Sequence, residues 1–583
     1  MNLSAKMKVK VMSISMLTAA VLYGCACLGG LDLEFPWQLQ ATAGPTDASR
    51  AYTHFLAGVV YERRGMIDRA VAQFERILEH DSDAITPSVR LVRALRRQGN
   101  TEKSLKIARD IVNRHPDNPE LWILLGEGLY QSGRHEEALD AFRKAVEINP
   151  SELTSYAPLL EAQESMNDYV AAAEVYEKLA GRYPDQTAFQ FQYALSLFRI
   201  GDYEAAASAF EKVLELQPAF LRARYLLAAS LMESGRVSES IPHFVRYLEN
   251  QALDTQALGV AAAAFFRNGS MAESFNLLQI RLALQDPEPE DFLKAALVAL
   301  MAERPEDAIK ITEAASSPVL GGLIRIIASQ ALNQQAGNDL SQLDSQAGSL
   351  NDECETFLLP ALTLFGPREM GDRLLNAMNP LREETEKRGT PSRVIAFTRG
   401  RIYMVQEAYP LAVEAFQEAL KAPGGEDDPW VHSNLAYCYQ ELKQWEPAER
   451  HHRKALELMP DNPDMLNNLG YFLAEHNVHL DEAETLLKQA LQTDPDNPFY
   501  LDSLGWVYYR KGRLQEALDL VRRAVYGMNH DDAELREHLG DIYAAMGNLS
   551  KAAEEWFRAT RLDKKRESAR QKLEQVRSSP KGI

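Results

Sequence analysis

Cysteine is scarce in this chain, with four residues in 583. Cys25 and Cys27 sit near the N-terminus, and Cys354 and Cys438 lie far apart, so no disulfide framework is implied. A surplus of positive charge is also missing. The formal net charge is −20, acidic residues run through the whole length, and no basic patch of useful size interrupts them. A phosphate backbone would be repelled, which removes nucleic acid as a partner. No alternating strand pattern competes with the helical one described below. The chain also lacks a P-loop, a nucleophile elbow, a His-Glu-x-x-His and a Cys-x-x-Cys pair, so neither catalysis nor a cofactor is expected. One cluster, His432, Cys438, His451 and His452, could suggest a metal. His452 and Cys438 fall where packing side chains are expected, so the cluster reads as core and no metal is assigned.

What is present is the composition of a folding body, 46% hydrophobic and 25% charged. It is preceded by a leader. Lys6, Lys8 and Lys10 stand before an uncharged run from Val11 to Leu31, the layout of an export signal. Leu22-Tyr23-Gly24-Cys25 resembles the processing site of bacterial lipoproteins. The resemblance implies a signal peptide over 1–24, lipidation at Cys25 and a linker to residue 50 with Pro36, Gly44 and Pro45. Ala26 after the cysteine implies the outer membrane, facing the periplasm. The alternative is an uncleaved inner-membrane signal anchor with a periplasmic body, since about twenty uncharged residues can just span a bilayer. In both cases the lysines stay inside and the body lies outside the cytoplasm.

The body repeats itself every 34 residues from Ala51 to Glu288, with units opening at Ala51, Ile85, Pro119, Leu153, Thr187, Leu221 and Thr255. In the unit from Pro119, Trp122, Leu125, Gly126, Leu129, Ala138, Phe142, Ala145 and Pro150 carry the pattern. Gly126 and Ala138 are small so that two helices can approach, Leu125 and Phe142 fill space between units, and Pro150 stops the second helix. Gly65, Gly99, Gly133, Gly201, Gly235 and Gly269 recur at one turn position, with Asn167 in the remaining unit, as a left-handed helix cap requires. A second block over 393–566 opens units at Arg393, Pro429, Pro463, Pro498 and Ala533. Between the blocks, over 289–392, the pattern fades. Gly321, Gly322 and the polar stretch from Asn333 to Glu355 break register, which suggests irregular helical pairs, and 567–583 reads as a tail. This recurrence resembles the tetratricopeptide (TPR) family. The resemblance implies an all-α helix-turn-helix solenoid, a right-handed superhelix of about 12 repeats in two blocks with a diverged helical middle.

The family resemblance further implies that positions two, five, six, nine, twelve and thirteen of each unit line a concave groove. In the second block these include an aromatic strip, Trp430, Tyr437, Tyr471, Phe499, Trp506 and Tyr509, and a polar ladder, Asn434, Asn467, Asn468 and Ser503. An amide offers both a donor and an acceptor to a peptide backbone. At about 1 kcal/mol per hydrogen bond, losing Asn434 and Asn468 together should weaken binding by about 2 kcal/mol. The first block has no such ladder. It mixes Phe55, Phe191, Phe198 and Tyr225 with Arg93, Arg96 and Arg97, which suits a protein surface better than an extended peptide.

Three runs, Asn467-Asn468-Leu469-Gly470-Tyr471, Leu501-Asp502-Ser503-Leu504-Gly505-Trp506-Val507-Tyr508-Tyr509 and His538-Leu539-Gly540-Asp541, extend the likeness. With the leader, they resemble the outer-membrane TPR lipoproteins that serve as adaptors of a carboxyl-terminal processing protease. That resemblance implies a membrane-tethered scaffold that recruits a periplasmic protease and presents cell-wall hydrolases to it. An assembly factor for a secretion, pilus or exopolysaccharide export system is the alternative.

Overall fold

The computed structural model describes residues 45–578 except 285–286, 316, 333–338 and 529, so the leader and Cys25 lie outside the described residues. Every regular element among the described residues is a helix. Helix starts are written into the sequence. Asn118, Asp428, Asn462 and Asn497 each accept a hydrogen bond from a backbone N–H of the first turn, and each is followed by proline. An Asx cap satisfies an orphan donor, and proline at the next position has no donor to lose. The turns behave likewise. Asn167 takes φ 56°, in the range otherwise held by Gly133 at 76° and its equivalents.

First helices open at Ile85, Pro119, Leu153, Thr187, Leu221 and Thr255, and again at Arg393, Pro429, Pro463, Pro498 and Ala533. Each is paired with a second helix, and in several pairs a glycine of the first helix meets a side chain of the second. A Cβ on Gly126 would stand 2.5 Å from the Phe142 ring, and one on Gly540 would stand 2.6 Å from Trp556. Backbone and ring therefore meet directly, and the helix pair closes on that contact.

The described residues form two compact units, one ending at Val175 and the other beginning at Tyr176. In the first, Ala70, Phe74, Ile77, Leu91 and Leu95 share a buried cluster. In the second, one continuous core runs from Ala228 to Cys438, and another runs from Ala448 to Leu573. The irregular stretch is part of the first of these cores, so its apolar residues are buried together with those of the repeats beside it.

That stretch holds helices Pro289–Met301, Pro305–Thr312 and Pro318–Ala331, then Asp339–Ser345 and Leu350–Glu353. A single wide π-helical turn at Cys354–Leu358, helix Leu359–Phe365 and a 22-residue helix Pro367–Arg388 complete it. Gly321 and Gly322 do not break a helix here. They lie buried inside Pro318–Ala331, and Gly322 makes room for Leu343, to which a Cβ would come within 2.5 Å. The buried carboxylate of Glu353 closes the N-terminus of that helix, accepting from Val319 N at 3.1 Å, Leu320 N at 2.9 Å, Ser317 Oγ at 2.5 Å and Ser349 Oγ at 2.8 Å. A carboxylate suits orphan backbone donors at the positive end of the helix dipole.

Residues 567–578, expected as a tail, form a further helix, Glu567–Ser578, with Ala569 and Leu573 buried one turn apart. Lys572 on it bonds Glu537 at 2.6 Å and Asp541 at 2.7 Å. Just before it the second unit touches itself across a long sequence separation. Lys564 and Arg561 reach Asp202 at 3.1 and 3.4 Å, and Lys565 reaches Glu407 at 3.3 Å.

Candidate functional site

Five first helices, Arg393–Val405, Pro429–Glu441, Pro463–Glu475, Pro498–Arg510 and Ala533–Ala545, present residues to one cavity of about 540 Å³. Asn351 and Glu355 join its wall from the irregular stretch. Trp430, Tyr437, Tyr471 and Phe499 supply aromatic surface. Asn434, Asn467, Asn468 and Ser503 supply amide and hydroxyl groups, and Glu355, Asp464, Asp502, Asp532 and Glu534 supply carboxylates. Arg401 is the cation of the wall. Such a concavity, apolar in part and with convergent polar groups, is the usual form of a binding site.

The floor is a network of charges. His538 Nδ1 lies 2.9 Å from Asp502 Oδ2, both side chains being buried. Burial alone would lower the imidazole pKa, but Asp502 beside it, with Glu534 and Glu475 further out, lifts it to about 9. His538 is therefore charged at neutral pH. The Trp506 ring lies flat on it, 4.0 Å between centroids and 16° between planes, and Trp506 Nε1 donates to Glu475 at 3.0 Å. The Tyr471 hydroxyl donates to Glu534 at 2.7 Å, and burial followed by the Glu534 charge raises its pKa.

Against this geometry stand the comparisons with known proteins. Tetratricopeptide repeat models match residues 63–127 and 197–264, and again 479–527 and 503–568. A cytochrome c-type biogenesis protein H TPR domain model matches 103–220, and a model of YpiA-like C-terminal tetratricopeptide repeats matches 429–497. The chain carries multiple tetratricopeptide repeats. A 115-residue stretch is 31% identical to tetratricopeptide repeat protein 7A of Homo sapiens, spanning 19% of this chain and only 13% of that protein. Among solved structures, the chain is similar to one in Naa15/Naa10 bound to HypK-THB, at 13% identity over 91% of this chain and 86% of that one, with a TM-score of 0.39. It is also similar to a thermophilic TPR protein of Thermus thermophilus, at 21% identity over 32% of this chain and 98% of that one, with a TM-score of 0.28.

Within the TPR groove the residues expected from sequence divide. Tyr437 and Phe499 are open, 44% and 53% exposed, and Trp430 and Tyr471 are half-buried on the wall. Asn467 and Asn468 line the cavity half-buried, and Ser503 lines it at 4% exposure. Asn434 is on the wall, but its amide is engaged within the protein. Its Nδ2 donates to Trp430 O at 2.7 Å and its Oδ1 accepts from Arg401 Nη1 at 2.7 Å. Trp506 and Tyr509 are not on the wall. Trp506 is 5% exposed, sandwiched by His538 and by Tyr509 at 4.7 Å, because position nine of its unit meets position six of the next.

Four wall residues that the sequence reading passed over follow the same positional rule. Asp464 and Glu534 stand at position two, Asp502 at position five and Arg401 at position nine of their units. Asn351 and Glu355 come from a segment without register, where no positional signal exists. In the first block, Arg96 pairs with Glu127 at 2.7 Å and Arg97 with Glu62 at 3.4 Å. Phe191 is buried against Phe220, with 4.8 Å between ring centroids.

The histidine cluster is packed. His432 Nδ1 and His451 Nδ1 are 2.8 Å apart, and His432 Nε2 faces Glu426 O at 3.0 Å. His452 and Cys438 are buried. Burial, then the neighbouring positive charge that a second imidazolium would bring, lowers the pKa of His451 to about 4 and of His452 to about 3. Among the described residues no group of three or more histidine, cysteine or acidic side chains is arranged to hold a metal.

Proposed function

We propose that the chain is an adaptor of the cell envelope that holds a partner protein in the groove of its C-terminal repeats. The observation that carries this reading is the cavity of about 540 Å³, to which three consecutive repeats each contribute aromatic and polar side chains. Tyr437 and Phe499 are the exposed aromatic anchors, the residue type in which binding energy concentrates. The family models match tetratricopeptide repeats, a fold that generally binds protein partners, and this reading leaves the chemistry to the partner.

The anchor and the partners belong to the same proposal. Lipidation at Cys25 tethers the scaffold to the outer membrane, and the recruited species are a processing protease and its cell-wall hydrolase substrates. A scaffold of this kind acts by raising the effective concentration of what it holds. Wild type should incorporate labelled palmitate and Cys25→Ser should not; a wild-type chain that takes up no label removes the lipid anchor and leaves a signal anchor, and label that persists in the variant moves the acylation away from Cys25.

The test of function is capture from a native envelope extract with the full chain, wild type against Tyr437→Ala with Phe499→Ala. Recovery of a protease with hydrolases, reduced in the variant, supports the adaptor and the groove together. Recovery of secretion, pilus or polysaccharide-export components replaces it with the assembly-factor reading. Equal capture by both chains places the binding surface elsewhere.

A further inference from the structure

Two oxygens on the groove wall have no hydrogen-bond partner among the described residues. One is Oδ1 of Asp502, a residue 4% exposed whose other carboxylate oxygen is held by His538. The second is Oδ1 of Asn467, one helix earlier. Both are acceptors, and both residues line the same cavity. Buried polar atoms in folded proteins are nearly always paired, so an unpaired pair of this kind on a binding wall marks where a ligand's donors belong.

The charges around these oxygens point the same way. Glu534 and Asp464 stand on the wall, and both accept from tyrosine hydroxyls, at 2.7 and 2.6 Å, which leaves their negative charge in place. Among the described residues the one lysine or arginine on the wall, Arg401, is already paired with Glu355 and with Asn434 Oδ1. His538 offsets Asp502, and Arg566 stands 3.6 Å from Glu534. The field reaches Glu441 at position thirteen of its helix, whose pKa is raised by burial and then by Glu534 and Glu407. The exposed faces of Tyr437 and Phe499 complete the setting, since an aromatic face attracts a cation electrostatically.

Resting on the groove reading above, we infer that the groove selects a segment of its partner that carries an arginine, with the guanidinium donating to Asp502 Oδ1 and Asn467 Oδ1 and its plane lying against the open aromatics. Arginine answers the site better than lysine. It brings five N–H donors in a planar fork, carries no acceptor that would compete, and stacks on aromatic rings. A neutral segment would leave the orphan acceptors to backbone amides alone, and an acidic one would meet the carboxylates of the wall.

The test uses three fluorescent heptapeptide mixtures, randomised at six positions and fixed at the central one as arginine, citrulline or glutamate, titrated against the full chain. Citrulline keeps the shape and removes the charge. The arginine mixture should bind at least about tenfold more tightly than the citrulline mixture, and the glutamate mixture more weakly still. Asp502→Asn should remove most of that preference. Asp464→Asn, an exposed position, should reduce it about threefold with an unchanged circular dichroism spectrum and melting temperature, so a misfolded Asp502 variant does not end the test. Equal affinity for arginine and citrulline, with both lost in Tyr437→Ala/Phe499→Ala, overturns the charge selection and leaves the groove standing. No binding by any mixture, together with partner capture unaffected by that double variant, overturns both.

Discussion

Trp506→Ala separates a residue of the groove wall from a residue beneath it. The indole is 5% exposed, lies on the His538 ring, stacks on Tyr509 at 4.7 Å and donates to Glu475 at 3.0 Å. A tryptophan buries roughly 200 Å², which at about 25 cal/mol per Å² bounds its contribution near 5 kcal/mol. Truncation leaves a cavity between two repeats, uncovers a charged imidazole and frees the Glu475 carboxylate, so a loss of about 3–5 kcal/mol is expected. Repeat proteins spend such a loss locally, because each unit contacts mainly its neighbours. The assay is therefore amide hydrogen exchange across Pro463–Glu475, Pro498–Arg510 and Ala533–Ala545, alongside urea unfolding. Protection should fall in these three helices and stay unchanged in Ile85–Arg97. Phe499→Ala, at a 53% exposed position, should stay within about 1 kcal/mol of wild type. A Trp506→Ala chain as stable as wild type, or a Phe499→Ala chain equally damaged, refutes the packing argument.

Lys443 holds φ 58° at a turn where other repeats use glycine, so Lys443→Gly should stabilise by about 1 kcal/mol in urea unfolding; a loss of stability would contradict the strain. Glu353→Gln puts an amide N–H against the donors of Val319, Leu320 and two serines, and should cost about 1.5–3 kcal/mol with exchange rising in Pro318–Ala331. His451 and His452 stay neutral in the folded chain down to about pH 4 and about pH 3, whereas their unfolded forms take up protons below about 6.5. The unfolded state then binds more protons through that window, so stability drops as the pH is lowered, by up to about 1.4 kcal/mol per unit for each histidine. His452→Phe, which restores the aromatic found at Phe142, should remove one histidine's share of that slope; an unchanged slope from pH 6.5 to 4 rejects the assignment.

Much of the fold was legible because each repeat is local. Small residues at Gly126 and Gly540, Asx-Pro starts such as Asn497-Pro498, and left-handed turns such as Asn167 are set by contacts within one unit, and the 34-residue spacing repeats them. The groove was legible in part. The positional rule led to Tyr437, Asn467 and Phe499, but it could not distinguish position nine in Tyr471, which lines the cavity, from position nine in Trp506, which does not. That depends on how the next helix is turned, and His538 decides it from the following repeat. The acidic wall was invisible for a related reason. With acidic residues everywhere in a chain of net charge −20, no local excess marks the place where Asp464, Asp502 and Glu534 converge.

By itself, then, the sequence determined the helices, their pairing and the turns between them, since backbone caps, small-residue contacts and left-handed turns are satisfied within a few tens of residues. Only the tertiary structure decided what the groove is made of. Asp502 meets His538 across 36 residues, and Arg401 meets Glu355 across 46, from a segment with no repeat register at all. Such pairs arise from the stacking of units on one another, which gathers into one wall groups that lie far apart in the sequence.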